Sequence, residues 1–192
     1  RNAVKTAALV LLSGGIDSAV ALWWARERYD VTALSFVGAR RPRGEVRACM
    51  SVARRAGVPH LRVGLPFLHT HRDGYTPGRN LAFHAAALSI AEQRGAKAVV
   101  AGHNRSGASH YADARDAFFR RLRSLSNGVR IVRPLAGMTD AEVARLGAKL
   151  GVLVEAANSV GGSLAGLPVG KNVHAMLHEP KRAYVLLNTE PE

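Results

Sequence analysis

The chain has 192 residues, of which 47% are hydrophobic and 21% charged, and it carries a formal net charge of +13. These values fit one globular domain with a sizeable core, so we expect a single domain over residues 1–192. The longest apolar run, residues 7–12, is too short to span a bilayer, and no export signal is recognisable, so we expect a cytoplasmic protein without a membrane partner. Cys49 has no second cysteine for an internal disulfide, and we expect it in the core.

The positive charge would attract ATP, carboxylates, nucleic acid or an acidic protein surface. Arginines that only solvate helix faces explain it at least as well as a dedicated nucleic-acid surface. Only 6% of the residues are aromatic, and no base-stacking surface is evident. Nucleic acid is therefore the less favoured partner.

The predicted elements alternate short apolar strands with longer amphipathic helices, which is the pattern of βα units around a parallel sheet. In chain order the predicted strands are residues 8–12, 31–36, 60–63, 97–101 and 129–132. The predicted helices are residues 18–28, 45–56, 80–94, 112–125 and 140–150, the last with a Thr139/Glu142 capping box. We expect a three-layer Rossmann-like α/β fold with about five parallel strands, and a ligand site beyond their carboxyl ends.

Two predicted loops, residues 64–78 and 158–171, are longer than a compact α/β domain normally contains, and such loops usually carry function or are disordered. The first holds His69, His71 and Asp73, for which a flexible lid over the substrate is favoured over a metal site. Beyond the second, His174 and His178 have helical spacing but no further ligand, and we interpret them as surface or substrate-side histidines.

The sequence Ser-Gly-Gly-Ile-Asp-Ser directly follows the first predicted strand and opens the first predicted helix. Gly14 and Gly15 leave room for successive N–H groups to point at phosphate oxygens, and the helix N-terminus adds positive partial charge. Ser13 and Ser18 offer hydroxyl donors, whereas Asp17 would act as a helix cap or through a magnesium ion. The alternative is a tight turn without a ligand. No Gly-Lys-Ser/Thr follows, and the pattern is not Gly-x-Gly-x-x-Gly, so neither a Walker loop nor a dinucleotide fold is indicated.

This motif resembles the signature of the PP-loop ATP pyrophosphatases, and nearly the whole chain is similar to the QueC family of 7-cyano-7-deazaguanine synthases. Three further stretches carry the resemblance. They are Tyr-Thr-Pro-Gly-Arg-Asn at residues 75–80, Gly-His-Asn at 102–104 with Tyr-Ala-Asp-Ala-Arg at 111–115, and Pro-Leu-Ala-Gly-Met-Thr at 134–139. Their joint occurrence in the same order is much more specific than any single match.

The resemblance implies an adenine nucleotide alpha-hydrolase (HUP) type of Rossmann-like fold and a homodimer that uses ATP, Mg²⁺ and a deazaguanine carboxylate. It places the pyrophosphate on one set of residues, namely Ser13, Gly14, Gly15, Asp17 and Ser18, with Gly102 also at the nucleotide. It implies catalytic roles for Asp17, Arg79 and Asn80, the last two at the nucleotide or the reacting carboxylate. The implied substrate pocket contains Asp113, Arg115 and Arg41.

Two departures from the family concern zinc and the substrate pocket. The family holds zinc through four C-terminal cysteines, whereas this chain has one cysteine in all, so zinc is not expected and residues 158–192 form an extension that replaces the zinc-binding region. The family's acidic residue before Tyr-Ser-Gly is Gly107 here. Loss of an acceptor for a guanine-like edge should cost recognition, so substrate binding is rearranged or the substrate has changed.

Three functions follow from these observations. The first is an ATP-dependent ligase that adenylates 7-carboxy-7-deazaguanine and forms the amide and nitrile with ammonia. The second keeps the adenylation but transfers the acyl group to a protein amine, as in QueC-like proteins of bacterial antiviral defence, and it implies a protein partner. The third is a nucleotide-binding protein without chemistry, which turnover would distinguish from the other two.

Overall fold

The computed structural model describes residues 4–37, 43–68 and 76–152. The strands are β1 (Ala7–Leu11), β2 (Asp30–Val37), β3 (His60–Gly64), β4 (Ala98–Val100) and β5 (Arg130–Val132). The helices are α1 (Ile16–Arg26), α2 (Arg43–Ala56), α3 (Arg79–Gln93), α4 (Arg105–His110), α5 (Asp116–Leu125) and α6 (Asp140–Lys149), with a 3₁₀ turn at Ala112–Ala114. The five predicted strands are confirmed, each within one residue at both ends.

The strands form one parallel sheet in the order β3-β2-β1-β4-β5. Strand β1 lies at its centre, where Leu9 is opposite Thr32 on one side and Val99 on the other. The chain runs outward from β1 to β3 and then crosses to the other side of β1 for β4 and β5. The connections after β1 and β4 therefore diverge, which opens a crevice at the carboxyl edge of the sheet between these two strands.

Alternate residues of β1 pack into two different cores, because successive side chains of a strand point to opposite faces. Ala8 and Val10 pack with buried residues of α1, α2 and α6. Leu9 packs on the other face with residues of α3 and α5, including the fully buried Phe119. The sheet is thus the middle of three layers, and coverage of both faces explains why the central strands β1 and β4 are wholly apolar.

One helix prediction is wrong and one helix was missed. Residues 112–125 do not form a continuous helix, because Arg115 is extended (φ −82°, ψ 159°) between the 3₁₀ turn and α5. Helix α4 was not predicted, and it begins where the Asn104 side chain accepts a hydrogen bond from the Gly107 N–H. The capping box of Thr139 and Glu142 at the start of α6 is confirmed, as is the burial of Cys49.

Candidate active site

The loop between β1 and α1 has a shape that only glycine allows at Gly14. This residue has φ +88°, and a Cβ there would lie 3.1 Å from both the carbonyl oxygen of Glu45 and the Cβ of Ala48 on α2. Gly15 follows in extended conformation and is the N-cap of α1, with no side chain capping the helix. The free N–H groups at the start of α1 therefore lie directly beyond the central strand, where an anion would be stabilised.

The hydroxyl of Ser18 organises this loop from inside. It accepts hydrogen bonds from the backbone N–H of Ser13 at 3.1 Å and from the Ser13 hydroxyl at 3.0 Å, and it donates to the Gly15 carbonyl at 2.9 Å. Its single proton is thus engaged within the loop. Ser18 therefore fixes the turn through these three hydrogen bonds.

Asp17 lies at the second position of α1, and the interpretation of this residue as a helix cap is wrong because Gly15 is the N-cap. Its Oδ2 accepts a hydrogen bond from Nδ2 of Asn104 at 3.2 Å, and the same nitrogen donates to Oδ1 of Asp140 at 2.9 Å. Burial first, and then the neighbouring Asp140 carboxylate, raise the pKa of Asp17 to about 6, while the Asn104 hydrogen bond opposes them. The site thus holds two carboxylates joined by one buried amide.

Gly102 brings the end of β4 against the phosphate loop. A Cβ at this position would lie 2.7 Å from the carbonyl carbon and oxygen of Asp17 and 2.9 Å from the Ser18 nitrogen. No side chain fits there, because real Cβ atoms do not approach backbone that closely. The structure therefore places Gly102 directly against the loop, while its role at the nucleotide stays a prediction.

Arg79 and Asn80 form the first turn of α3, at the same edge of the sheet. The preceding Gly78 has φ +66° and is the N-cap of the helix. Arg79 is exposed, and Nδ2 of Asn80 donates to the carbonyl oxygen of Asp113 at 3.3 Å. Asn80 and Asp113 are thus brought together, which ties α3 to the 3₁₀ turn, while Arg115 is exposed just beyond that turn.

An aromatic and basic cluster that the sequence did not predict lies between α3, the end of β4 and α5. The buried His84 ring lies 5.2 Å from the His103 ring and 5.2 Å from the Phe119 ring, measured between ring centres. The Arg133 guanidinium lies over Phe119, with Cζ 4.0 Å from its centre. Arg133 also donates to the Asp116 carboxylate at 2.5 Å. Gly-His-Asn after β4 was a signal for His103, but nothing in α3 marked His84.

Several predicted residues lie outside the described ranges. They are Arg41, Tyr75, the histidines and aspartate of residues 69–73, and the whole of residues 158–192, including His174 and His178. Among the described residues, no group of three or more His, Cys, Asp or Glu side chains could hold a metal ion. No helix within the same ranges is long and apolar enough to cross a membrane.

Comparison with known sequences identifies one family. The chain matches the sequence profile of the family described as "Queuosine biosynthesis protein QueC" over residues 7–74 and 69–161. It is 33% identical to the 7-cyano-7-deazaguanine synthase of Acinetobacter baylyi, with 78% of each chain covered. It is 30% identical to the protein of the same name from Methanothermobacter thermautotrophicus, covering 77% of this chain and 82% of that relative.

Solved structures of the same fold belong to other synthetases. NMN synthetase from Francisella tularensis superposes with a TM-score of 0.54 at 15% identity, covering 91% of this chain and 83% of that one. NH3-dependent NAD synthetase from Campylobacter jejuni gives 0.54 at 13% identity, covering 94% and 81%. These likenesses confirm the PP-loop type of Rossmann-like fold. With the profile matching most of its length and relatives at 30% identity or more, the chain belongs to the QueC family of PP-loop enzymes.

Proposed function

We propose that this chain uses ATP to convert a carboxylate into an acyl-adenylate and then passes the acyl group to a nitrogen nucleophile. The observation that carries this proposal is the Ser-Gly-Gly loop at the central crevice, with the end of β4 packed onto it through Gly102. The expected carboxylate is 7-carboxy-7-deazaguanine, because the relatives that span most of this chain are named 7-cyano-7-deazaguanine synthases.

The proposed reaction begins with adenylation of the carboxylate. A carboxylate oxygen attacks the α-phosphorus of ATP, and pyrophosphate leaves. The nitrogen nucleophile then attacks the acyl carbon, the bond between that carbon and the AMP oxygen breaks, and a proton is released to solvent. With ammonia the product is the amide. A second ATP would adenylate the amide oxygen, and elimination of AMP with loss of protons would give the nitrile.

The residues at the crevice suit the charges that develop in these steps. The N–H groups at the start of α1 would stabilise the leaving pyrophosphate. Arg79 offers a planar pair of donors that matches a phosphate or a carboxylate. Asn80 holds the first turn of α3 against the backbone of Asp113, so the two elements that carry Arg79 and Arg115 keep a fixed spacing at the substrate side. Arg41 completes the proposed substrate pocket.

The paired carboxylates suit a magnesium ion that travels with ATP. Asp17 and Asp140 are held together through Asn104, and their mutual repulsion contributes to the raised pKa of Asp17. A cation would relieve that repulsion, and Mg²⁺ is commonly bound by one or two carboxylates together with phosphate oxygens. When bound, it would neutralise charge on the phosphates. Asp17 is the proposed ligand, with Asp140 beside it.

The test is pyrophosphate release from ATP and Mg²⁺ with 7-carboxy-7-deazaguanine, with and without ammonium. We expect ammonium-dependent amide or nitrile in the wild type and loss of turnover in Arg79→Ala and Asp17→Ala. Matched controls are Arg94→Ala, at the other end of α3, and Asp30→Ala, at the exposed start of β2, and both should keep wild-type activity. No pyrophosphate under any condition, despite measurable ATP binding, would refute the enzyme proposal for this carboxylate.

A protein amine is the second candidate acceptor. The feature that favours it is Gly107, a residue without a side chain where the resemblance implies an acidic one; its N–H donates to the Asn104 side chain at the start of α4. A changed substrate side and a charge of +13 suit docking on an acidic partner. Adenylate that forms but is not consumed by ammonium would support this acceptor over ammonia.

A further inference from the structure

His103 stands at the junction of the phosphate loop and the substrate side. It directly follows Gly102, whose backbone is packed against Asp17 and Ser18. The packing of Gly102 therefore also fixes where the backbone of His103 lies relative to the loop. Its ring turns toward α3 and α5, where it lies 5.2 Å from His84 and 4.9 Å from Phe119 between ring centres. The ring is only partly buried, and within the described part of the chain neither of its nitrogens has a hydrogen-bond partner.

We propose that His103, supported by His84, binds the nitrogen nucleophile as a neutral amine beside the acyl-adenylate. This inference rests on the proposed function and assigns its second substrate to a site. Ammonia suits the position by its chemistry, since it offers N–H donors to an imidazole nitrogen and a lone pair for attack.

The hydrogen bonding of His84 defines its role as a positioning residue. Its Nδ1 lies 2.8 Å from the carbonyl oxygen of Asn80, which can only accept, so Nδ1 carries the proton and Nε2 is an acceptor. His84 is 1% exposed, and its Nε2 has no partner among the described residues. The same holds for the buried Nε of Arg133, a donor. Both side chains pack against Phe119, so this cluster contains one unmatched acceptor and one unmatched donor with which a small polar ligand could pair.

The charges around the two rings favour a neutral ligand over a cation. Burial, His84, Arg133 and Arg79 together lower the pKa of His103 to about 3. Burial and Arg133 also lower the pKa of His84, against the Asn80 hydrogen bond and the Asp113 carboxylate. Among the described residues, the Asp116 carboxylate also lies at this cluster, where it is paired with Arg133. An ammonium ion would lose hydration of its charge on burial and would be repelled by the same arginines. Uncharged ammonia avoids both costs. Because only ammonia can attack an acyl carbon, such a site would select the reactive form.

The test separates the two half-reactions. Exchange of labelled pyrophosphate into ATP needs only the carboxylate, whereas amide formation also needs the nucleophile. In His103→Phe, which keeps an aromatic ring and loses the hydrogen bond, we expect the KM for ammonium to rise about tenfold or more. Exchange should stay within about twofold of the wild type. His103→Gln should restore much of the affinity, and His84→Leu should raise the same KM by a smaller factor. His60→Phe, on β3, is the control and should leave it unchanged.

The pH dependence provides a second readout. If the neutral form binds, the wild-type KM for total ammonium falls about tenfold for each unit of rising pH near neutrality, while the KM expressed as ammonia stays constant. Unchanged KM for ammonium in both His103 variants, or exchange that falls in parallel with amide formation, would overturn the role of His103 but not the proposed function. Exchange without any ammonium-dependent turnover would overturn it as well. Absence of exchange in the wild type would refute the proposed function itself.

Discussion

Replacement of Asp17 by asparagine should stabilise the protein at neutral pH in the absence of nucleotide and Mg²⁺. Asparagine has the same shape and still offers an oxygen to the amide of Asn104, which lies 3.2 Å from Oδ2 of Asp17. It removes a partly buried negative charge that faces Asp140. The substitution therefore relieves a cost of the native state while preserving its hydrogen bond.

The size of the effect follows from the pKa. The pKa of Asp17 is raised from the ordinary 3.8 to about 6, and one pKa unit corresponds to about 1.4 kcal/mol. The folded wild type therefore holds a proton more tightly than the unfolded chain does between these values, so its stability falls as pH rises through this window. Above pH 6 the full cost is present, about 3 kcal/mol, and below pH 3.8 it vanishes.

The assay is urea unfolding of the full chain at several pH values between 4 and 8, without metal or nucleotide. The free energy of unfolding of Asp17→Asn should exceed that of the wild type by about 2–3 kcal/mol at pH 7.5, and the gap should shrink at low pH. Asp30→Asn, at the exposed start of β2, is the matched control and should show no such gap. A variant that is less stable than the wild type, or a difference that is the same at every pH, would show that the Asp17 charge does not destabilise the folded protein.

Three further predictions concern the loop and the helices around it. Gly102→Ala places a Cβ 2.7 Å from the carbonyl of Asp17 and should cost about 2–3 kcal/mol of stability and weaken ATP binding. Gly137→Ala, whose Cβ meets nothing within 4 Å, is its control in the same urea titration. Thr139→Ala removes the capping box of α6 and should lower the free energy of unfolding by about 1 kcal/mol. Thermal unfolding should show this as a lower Tm, and an unchanged Tm would show that the capping box does not stabilise the protein. Ser18→Ala removes the hydroxyl to which Ser13 donates, and it should weaken ATP binding about tenfold, as measured by calorimetry. Equal affinity would show that the loop keeps its shape without the Ser18 hydroxyl.

The sheet could be predicted from the sequence because each strand is a short apolar run between stretches of helical period. Parallel strands covered on both faces leave this signature in the residues themselves. The break at Arg115 could not be predicted, since residues 112–125 keep an apolar spacing through it. The extended backbone there follows from tertiary contacts, with Asn80 on α3 bound to the carbonyl of Asp113. Helix α4 has only six residues, too few to show a period.

The candidate site was predicted where its chemistry is local and missed where it depends on distant partners. The Ser-Gly-Gly loop is contiguous, so its glycines and hydroxyls could be recognised directly. The hydrogen bond between Asn104 and Asp17 joins residues 87 positions apart, and nothing in either segment identifies the other. His84 could not be predicted for the same reason. Its neighbours His103 and Arg133 directly follow β4 and β5, far from α3 in the sequence.

Attack of the carboxylate on the α-phosphorus of ATP is the step that defines the proposed function, and transfer of a carboxylate oxygen to AMP reports on it. With 7-carboxy-7-deazaguanine labelled with ¹⁸O in its carboxylate, together with ATP, Mg²⁺ and ammonium, the AMP formed should carry one labelled oxygen. That oxygen becomes part of the phosphate when the acyl-adenylate forms and stays there when the acyl group leaves. Unlabelled AMP, or label found in inorganic phosphate alongside ADP, would contradict the account.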